Sequence, residues 1–303
     1  MPKRCHILIL LACGLAVGLY ALLSGLREPS YQGKSLSQWV ADLDPQGRPE
    51  SAKAAEAVRH MGTNAIPYLL EWMRYIQPPG KAKCLDAFDN AAYWLQERLG
   101  AKGDWGLVDH RLMKAEEVTL AFRVLGEGAT NAVVELTRIL NKPESSRERF
   151  APSGRAAYAL AHLGPLGLPP LVAALASTNA RVRAHVAWSL RFLGTNALVA
   201  VPQLLGRLAD SDSRVARQAA ETLAEMKADP PVVIPAMQAY LIDPDPDRRA
   251  TAALGLAGYG SLARSAVPSL LKARKDRIGT VQTCAEQALL RIAPEALTNA
   301  PPK

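Results

Sequence analysis

Asp109 and His110 are adjacent in this chain, and Asp104 lies shortly before them. Carboxylates and imidazoles are common ligands of divalent metals, so these three side chains could in principle contribute to a metal site. The other histidines beyond the first 26 residues stand singly and are not followed by glutamate: His60, His162 and His185. We therefore interpret Asp104, Asp109 and His110 as polar loop residues and predict no metal site.

The sequence also lacks the short motifs that build catalytic sites. It contains no His-Glu-x-x-His, no Gly-x-Ser-x-Gly and no phosphate-binding glycine loop. Cys5 and Cys13 lie in an apolar N-terminal run, and Cys84 and Cys284 are far apart in the chain. A disulfide needs Cα atoms within about 7 Å, so none is expected between the last two. We predict a protein that is not an enzyme and has no cofactor.

The chain is moderately basic, with a formal charge of +8. Many arginines stand close to aspartates, which favours ion pairs over an open basic patch. One tight cationic cluster is interrupted by Asp276, and it consists of Lys272, Arg274, Lys275 and Arg277. Nucleic-acid binding needs a basic face without compensating acids, so we do not expect it. Attraction to an anionic membrane or an acidic polymer remains an open alternative.

Turn and core residues recur at a constant interval of 33 residues in the second half of the chain. The register contains four prolines, four apolar residues and three aspartates: Pro169, Pro202, Pro235 and Pro268; Leu171, Leu204, Met237 and Leu270; Asp210, Asp243 and Asp276. Self-similarity at this period predicts a stacked array in which each unit buries its apolar face against its neighbours.

The unit covering residues 181–213 indicates what each repeat contains. Its first half, RVRAHVAWSLRFL, has apolar residues at helical spacing, and Gly194 ends that helix. Pro202 marks the start of a second helix, and Asp210 and Asp212 offer turn and capping oxygens. No segment alternates with a period of two, so strands are not expected. The pattern predicts an all-α fold of about six helix pairs.

These units resemble HEAT repeats, in particular the short bacterial type related to phycobilisome-lyase repeats. The resemblance is clearest in AVPQLLGRLADSDSRVARQAAETL (200–223) and AVPSLLKARKD (266–276). It implies a right-handed α-solenoid in which aspartates of the turns and arginines of the following helix form a ladder between repeats. Candidates for this ladder are Asp210, Asp212, Arg214, Arg217, Asp243, Asp245, Arg248 and Arg249. Ala216 stands where the family often has arginine, which predicts an irregular ladder.

The N-terminal segment sets the expected compartment. Residues 6–26 form a nearly unbroken apolar run preceded by Lys3 and Arg4, and about 20 apolar residues suffice to cross a bilayer. We predict that residues 1–26 are a transmembrane signal-anchor or, alternatively, a cleaved signal peptide. The positive residues before the run place the repeat array on the extracytoplasmic side, periplasmic or at the cell surface, and secreted if the segment is cleaved.

Downstream of that segment the chain divides into three parts. Residues 27–50 are a tether and a small helix beginning at Ser35, which would cap the open end of the first repeat. The repeat array covers residues 51–297, with an irregular stretch at 77–114. A short tail covers residues 298–303.

The resemblance implies that the second helices line a concave surface where partners bind. Mapping the register outward from the buried leucines gives a polar and basic strip on this surface: Gln203, Arg207, Gln238, Tyr240 and Lys272. An ordinary solvated face is the alternative interpretation. Trp188 is a further candidate, because its equivalent in the next repeat is Glu221 and an exposed tryptophan is a favoured interface anchor. Its alternative role is packing on Arg191 or a neighbouring repeat.

The irregular stretch is rich in aromatic residues. Its apolar spacing predicts a helix over residues 84–99, in which Phe88 and Trp94 are expected to form core together with Leu95. Trp105 is followed by glycine in a predicted loop, and insertions into repeat arrays often form binding loops. We therefore add Trp105 to the tentative partner-binding residues.

Three functions are compatible with these features. The first is a non-catalytic protein–protein interaction scaffold, tethered to a membrane and binding a protein partner through aromatic residues such as Trp105. The second is a protein that binds an envelope polymer, with salt-dependent attraction to the basic turns. The third is an accessory to an enzyme, because related repeats occur in bilin lyases and in HEAT-like DNA glycosylases.

Overall fold

The computed structural model describes residues 28–44, 48–99, 109–143 and 151–298. The predicted membrane or signal helix of residues 1–26 lies outside these ranges, as do Asp104, Trp105 and all but the first residue of the tail. Within the described ranges, no helix combines the length and the apolar character that crossing a membrane requires.

The described chain is mainly helical. Its helices are α1 (Leu36–Ala41), α2 (Pro49–Met61), α3 (Ile66–Met73), α4 (Pro79–Leu99), α5 (His110–Leu125), α6 (Val133–Asn141), α7 (Pro152–His162), α8 (Leu168–Ala174), α9 (Ala180–Ser189), α10 (Val201–Arg207), α11 (Ser213–Glu225), α12 (Pro230–Tyr240), α13 (Pro246–Tyr259), α14 (Val267–Ala273), α15 (Gly279–Ile292) and α16 (Glu295–Thr298).

These helices form six successive pairs, which we number as repeats 1 to 6: α2/α3, α5/α6, α7/α8, α9/α10, α11/α12 and α13/α14. The pair α15/α16 closes the array at its C-terminal end. Helix α4 stands between repeats 1 and 2, inside the stretch 77–114 where the sequence pattern is irregular. The described part of the chain is thus an all-α array of helix pairs, as the 33-residue pattern predicts.

Small residues bring the first helices of neighbouring repeats into direct contact. Helix α9 packs on α11, α11 on α13, and α13 on α15. Ala187, Ala220 and Ala253 stand one repeat apart in these helices and are fully buried. The second helices add the predicted register residues, of which Leu204 and Leu270 are completely buried. Burying a leucine stabilises a fold by ~1.5–3 kcal/mol, so the repeated seam is the main source of stability.

A glycine with positive φ joins the two helices of most repeats. Gly62, Gly126, Gly194 and Gly260 have φ between 50° and 59°, each at the start of or inside a short 3₁₀ stretch. Glycine adopts this conformation without the steric cost that a Cβ atom would add. The predicted helix end at Gly194 is therefore one example of a recurring corner. Repeat 5 departs from the pattern, because Lys227 occupies the corner with φ of 50°.

The N-terminal end contains a short β-hairpin, so the expectation of a chain without strands is wrong there. Strand β1 (Ser30–Tyr31) pairs antiparallel with β2 (Lys34–Ser35). Gln32 and Gly33 between them both have positive φ, 48° and 79°, which two-residue hairpin turns require. Its strands have two residues each, which is too short for an alternation of apolar and polar residues to be recognised in the sequence.

Helix α1 follows the hairpin at once and begins with a capping box. The Ser35 backbone N–H donates to Gln38 Oε1 at 2.9 Å, which satisfies a donor at the helix start. Leu36 and Trp39 are buried, and α1 packs against α2 and α5. The helix thus covers the first helices of repeats 1 and 2 at the end of the array.

Helix α4 contradicts one expectation. Phe88 and Trp94 were expected in the core, yet their exposed fractions are 45% and 54%. The guanidinium carbon of Arg98 lies 5.1 Å from the centre of the Trp94 ring, a distance typical of a cation–π contact. The apolar spacing correctly indicated a helix, but spacing alone does not say whether a partner surface covers the apolar face.

Candidate partner-binding groove

The predicted strip on the second helices is only partly available for binding. Gln203 and Lys272 are exposed. Arg207 is half-buried and its Nη1 donates to Asp210 Oδ2 at 3.2 Å. Gln238 Nε2 donates to the carbonyl oxygen of Ser265 at 3.1 Å, while Tyr240 is partly buried against the core. Internal contacts therefore hold three of the five predicted side chains.

Trp188 lies apart from that strip, in a first helix, within an aromatic cluster of repeats 3 and 4. Its ring stacks on Tyr158 at a centroid distance of 5.7 Å and meets Phe192 edge-on at 4.9 Å. The Arg191 guanidinium lies 5.6 Å from the Trp188 ring centre. Trp188 is half-buried: it packs on Arg191 and on Tyr158 of the neighbouring repeat, and its role as an interface anchor stays a prediction.

Asp109 has a structural position. It caps α5, where Oδ1 accepts from the Arg111 backbone N–H at 3.1 Å. Oδ2 accepts from Tyr75 Oη at 2.8 Å and from Gln77 Nε2 at 3.2 Å, and Lys81 Nζ lies 2.7 Å from Oδ1. Burial raises the pKa of Asp109, but bonds from Lys81, Tyr75 and Gln77 outweigh it and lower the pKa to about 2.

These four donors occupy the carboxylate of Asp109. Across the described ranges, no three metal-binding side chains come together. Asp109 thus fastens the segment that follows α3 to the start of α5, which a sequence without the tertiary contacts does not reveal.

An arginine–aspartate ladder runs along the turns of the C-terminal repeats. Arg183 Nε and Nη2 donate to the two carboxylate oxygens of Asp210 at 2.8 and 2.6 Å. Arg183 Nη1 donates to the carbonyl oxygens of Ser177 and Thr178 in the preceding turn. One side chain therefore joins two successive turns. Arg249 makes the equivalent bonds two repeats later, to Asp276, Asp243 and Pro244.

The ladder residues are buried or nearly so, and their electrostatics reflect the pairing. Only 10% of the Arg183 side chain and 2% of the Asp210 side chain are exposed. Burial raises the pKa of Asp210, but the hydrogen bonds from Arg183 outweigh it and hold the pKa below its ordinary value. The Arg249 hydrogen bond lowers the pKa of Asp276 in the same way.

The ladder is irregular at Ala216, as predicted. Arginine occupies the fourth position of α9 and α13, but α11 has Ala216 there. Arg248 of α13 compensates for the missing arginine. Its Nη2 donates to the carbonyl oxygen of Ala209, and its Nη1 lies 3.5 Å from Asp243 Oδ2. Among the other predicted ladder residues, Arg214 pairs within its own turn, with Asp212.

Repeats 1 to 3 lack the aspartate of the ladder. Asp210, Asp243 and Asp276 stand eight residues after the register proline of repeats 4 to 6. The same positions in repeats 1, 2 and 3 hold Tyr75, Lys142 and Ser177. In repeat 2 the turn therefore carries a cation where the later repeats carry an anion.

Arg155 takes the ladder position of repeat 3 and binds elsewhere. It occupies the fourth position of α7 and is 1% exposed. Its Nη1 donates to the carbonyl oxygens of Met73 and Tyr75, at 3.1 and 2.7 Å. Arg155 on one side and Asp109 on the other thus fix the segment that follows α3.

An open groove of about 690 Å³ lies where this fixed segment faces α6. Its main lining residues are Arg74, Ile76, Val134, Glu135, Arg138 and Lys142. The exposed fractions of Ile76 and Val134 are 42% and 72%. Glu135 forms ion pairs with both Arg74 and Arg138. The groove combines exposed aliphatic side chains with three cations and one carboxylate.

The prediction from sequence did not single out these residues, although two signals were present. Val134 stands at the register position of Pro202, and Lys142 stands at that of Asp210. Substitution of a structural proline by an exposed valine, and of a ladder aspartate by lysine, marks repeat 2 as different. The contribution of Arg74 and Ile76 could not be read in this way, because they follow α3 in an irregular segment.

The fold and this surface define the protein as an α-solenoid of stacked helix pairs. Residues 148–224 and 201–290 match the family model for HEAT repeats, so the chain is a HEAT-repeat protein. No curated protein matches the chain in sequence.

Similar solved structures include Kap121p and an engineered protein. Kap121p bound to Nup53p is 14% identical with a TM-score of 0.49, covering 85% of this chain and 29% of that chain. An engineered protein is 19% identical with a TM-score of 0.40, covering 86% of this chain and 96% of the other. This chain thus spans less than a third of the length of Kap121p.

Proposed function

We propose that this protein is a non-catalytic scaffold that binds a protein partner on its second-helix surface, at the groove of repeats 1 and 2. HEAT repeats generally serve as protein-interaction surfaces, since stacked repeats build extended faces. The observation that carries the proposal is the groove itself, where Ile76 and Val134 stay exposed beside cations. In the later repeats, Asp210 and Asp276 of the corresponding turns are instead paired with buried arginines.

We further propose a right-handed superhelix tethered to a membrane. The support for the tether is the apolar run of residues 6–26 after Lys3 and Arg4. The positive-inside rule then favours an extracytoplasmic array. Glycosylation-site tagging or protease protection in intact cells would test the orientation, and an array digested only after cell lysis would contradict it.

Partner capture tests the scaffold function. The full chain in mild detergent is immobilised beside the variants Arg138→Glu and Arg291→Glu, which carry the same charge change at the groove and at an exposed site of α15. Retained proteins are identified, purified and re-tested one by one. We expect a discrete protein that binds wild type and Arg291→Glu but not Arg138→Glu. Retention of nothing, or of a polymer that salt releases from all three, would favour the envelope-polymer alternative.

The tentative anchors Trp105 and Trp188 remain predictions and belong to the same experiment. Substituting Trp105 by alanine should weaken capture without lowering the free energy of unfolding by more than ~1 kcal/mol. A larger loss of stability would assign Trp105 to the core.

A further inference from the structure

We infer that the groove takes a segment of a partner protein in which acidic residues flank an apolar side chain. This inference rests on the proposed scaffold function and names the chemistry of the partner. Three features of the groove support it: its charge, its exposed aliphatic residues and its fixed floor.

The charge of the groove is unbalanced. Arg74, Arg138 and Lys142 supply three positive charges, and Glu135 supplies one negative charge. Glu135 is shared between two guanidinium groups, which leaves donors of both arginines available for a second carboxylate. Arginine forks bind carboxylates through two parallel hydrogen bonds. Charge complementarity therefore favours an acidic partner segment.

The groove is also apolar, which distinguishes a peptide from a purely ionic ligand. Ile76 and Val134 are exposed large aliphatic residues on its walls. A single-stranded nucleic acid would instead stack its bases on aromatic side chains, and the residues that line the groove include no aromatic ring among those described. A volume of about 690 Å³ accommodates several side chains of a peptide.

The floor of the groove is held in place before any partner binds. Tyr75 and Gln77, on either side of Ile76, both donate to Asp109. The carbonyl oxygen of Tyr75 also accepts from the buried Arg155. Ile76 is thus presented by a segment whose neighbours are fixed, and a fixed site loses less conformational entropy on binding.

The test measures peptide binding to the full chain in detergent micelles. The probe is a fluorescein-labelled peptide, Gly-Glu-Asp-Leu-Leu-Asp-Glu-Gly, whose fluorescence anisotropy reports binding. Two matched peptides replace the acids by their amides or the leucines by alanine. We expect the wild-type chain to bind the probe at least about tenfold more tightly than either matched peptide.

Protein variants locate the site. Arg138→Glu and Val134→Asp should each weaken probe binding about tenfold, and Arg291→Glu should change it less than about twofold. Both groove positions are highly exposed, so the variants are expected to keep the thermal unfolding temperature of wild type. If Val134→Asp unfolds, Arg138→Glu decides alone.

Several results would overturn the inference. Equal weakening by Arg291→Glu would show that the probe binds by general charge attraction and not at the groove. Tighter binding of polyphosphate or of the amide peptide would assign another ligand class. Self-association of the full chain that Arg138→Glu abolishes would assign the groove to a second copy.

The scaffold function can be separated from this inference. A natural partner lost with Arg138→Glu, but whose bound segment has no acidic residues, would keep the scaffold and remove the inference. A probe that binds the groove while no protein partner is captured would do the reverse.

Discussion

Repeats 4 to 6 and repeats 1 to 3 use the same helix pair but connect it differently. In the later repeats, Arg183 and Arg249 each join two turns through an aspartate and two backbone carbonyls. In the earlier repeats the aspartate is absent, and Arg155 binds two carbonyls of repeat 1 instead. The later turns are therefore joined by buried ion pairs, whereas the earlier ones leave an open groove lined by three cations.

The irregularity of this repeat array therefore has a physical cause in the arginine–aspartate pairs of its turns. In a repeat that has its own aspartate, such as repeat 4, the buried arginine forms its hydrogen bonds with that aspartate and with the preceding turn. In repeat 3, which lacks the aspartate, the arginine instead donates to backbone carbonyls of a segment that is distant in the chain. In this chain, that distant segment is the one that presents Ile76 to the groove.

The largest expected effect comes from removing Arg155. The substitution Arg155→Ala leaves the carbonyl oxygens of Met73 and Tyr75 without their buried donor. Hydrogen bonds from a charged donor contribute ~1.5–3 kcal/mol each, so we expect a loss of ~3 kcal/mol in the free energy of unfolding. Urea unfolding followed by tryptophan fluorescence measures it.

Arg214→Ala is the matched control for that variant, because Arg214 is exposed and pairs only within its own turn. It should cost less than ~0.5 kcal/mol. If the two variants unfold alike, Arg155 does not fasten repeat 3 to repeat 1.

A smaller loss in the free energy of unfolding is expected when one arginine–aspartate pair of the later ladder is removed. Arg183→Ala removes two hydrogen bonds from the carboxylate of Asp210, of which 2% is exposed, and leaves it the longer bond from Arg207. We expect a loss of ~2 kcal/mol, because a hydrogen bond between charged groups contributes ~1.5–3 kcal/mol. Hydrogen exchange should show the loss in repeats 3 to 5 and not in repeats 1 and 2. Uniform loss over the whole array would mean that the two halves are not separable.

Acid should weaken both halves for the same reason. The folded-state pKa values of Asp109, Asp210 and Asp276 lie below their ordinary values. The stability that they contribute is complete above the unfolded pKa of about 4, and it is lost as the pH falls through the folded pKa. For Asp109, this places the loss between pH of about 4 and the pKa of about 2.

Thermal unfolding between pH 5 and pH 2 checks this expectation. Asp109→Asn should flatten the pH dependence of the unfolding temperature for repeats 1 and 2, and Asp210→Asn should do so for repeats 4 and 5. Parallel curves for wild type and both variants would show that other carboxylates control the acid response.

Much of the array could be predicted from sequence, because its determinants are local. The 33-residue spacing fixes the buried leucines and alanines, and Gly194, Pro202 and Asp212 mark a corner, a helix start and a cap. The Ala216 gap also indicated an irregular ladder. These features depend on residues within one repeat or its neighbour.

The groove could not be predicted because its parts lie far apart in the chain. Arg155 and Tyr75 are 80 residues apart. A repeat register relates residues one repeat apart, so it rarely indicates a contact over such a separation. The burial of Arg207 and Tyr240 likewise depends on side-chain contacts that spacing does not encode. Exposed residues in a repeat register are therefore only candidates for binding until their internal partners are known.

The smallest expected effect concerns the corner of repeat 5, where the later repeats themselves depart from their rule. Lys227 holds φ of 50° at the position that Gly194 and Gly260 occupy in the neighbouring repeats. A side chain in this left-handed region costs roughly 1–2 kcal/mol, which glycine avoids. Part of that gain is lost again, because glycine gives the unfolded chain more conformational freedom. Lys227→Gly also removes the contact of Nζ with the carbonyl oxygen of Gly258, an exposed bond of small value. We therefore expect a net gain of ~0.5 kcal/mol in the free energy of unfolding. Gly194→Lys, the reverse change one repeat earlier, should lose at least as much; a gain from it would show that the corner conformation is not what selects glycine.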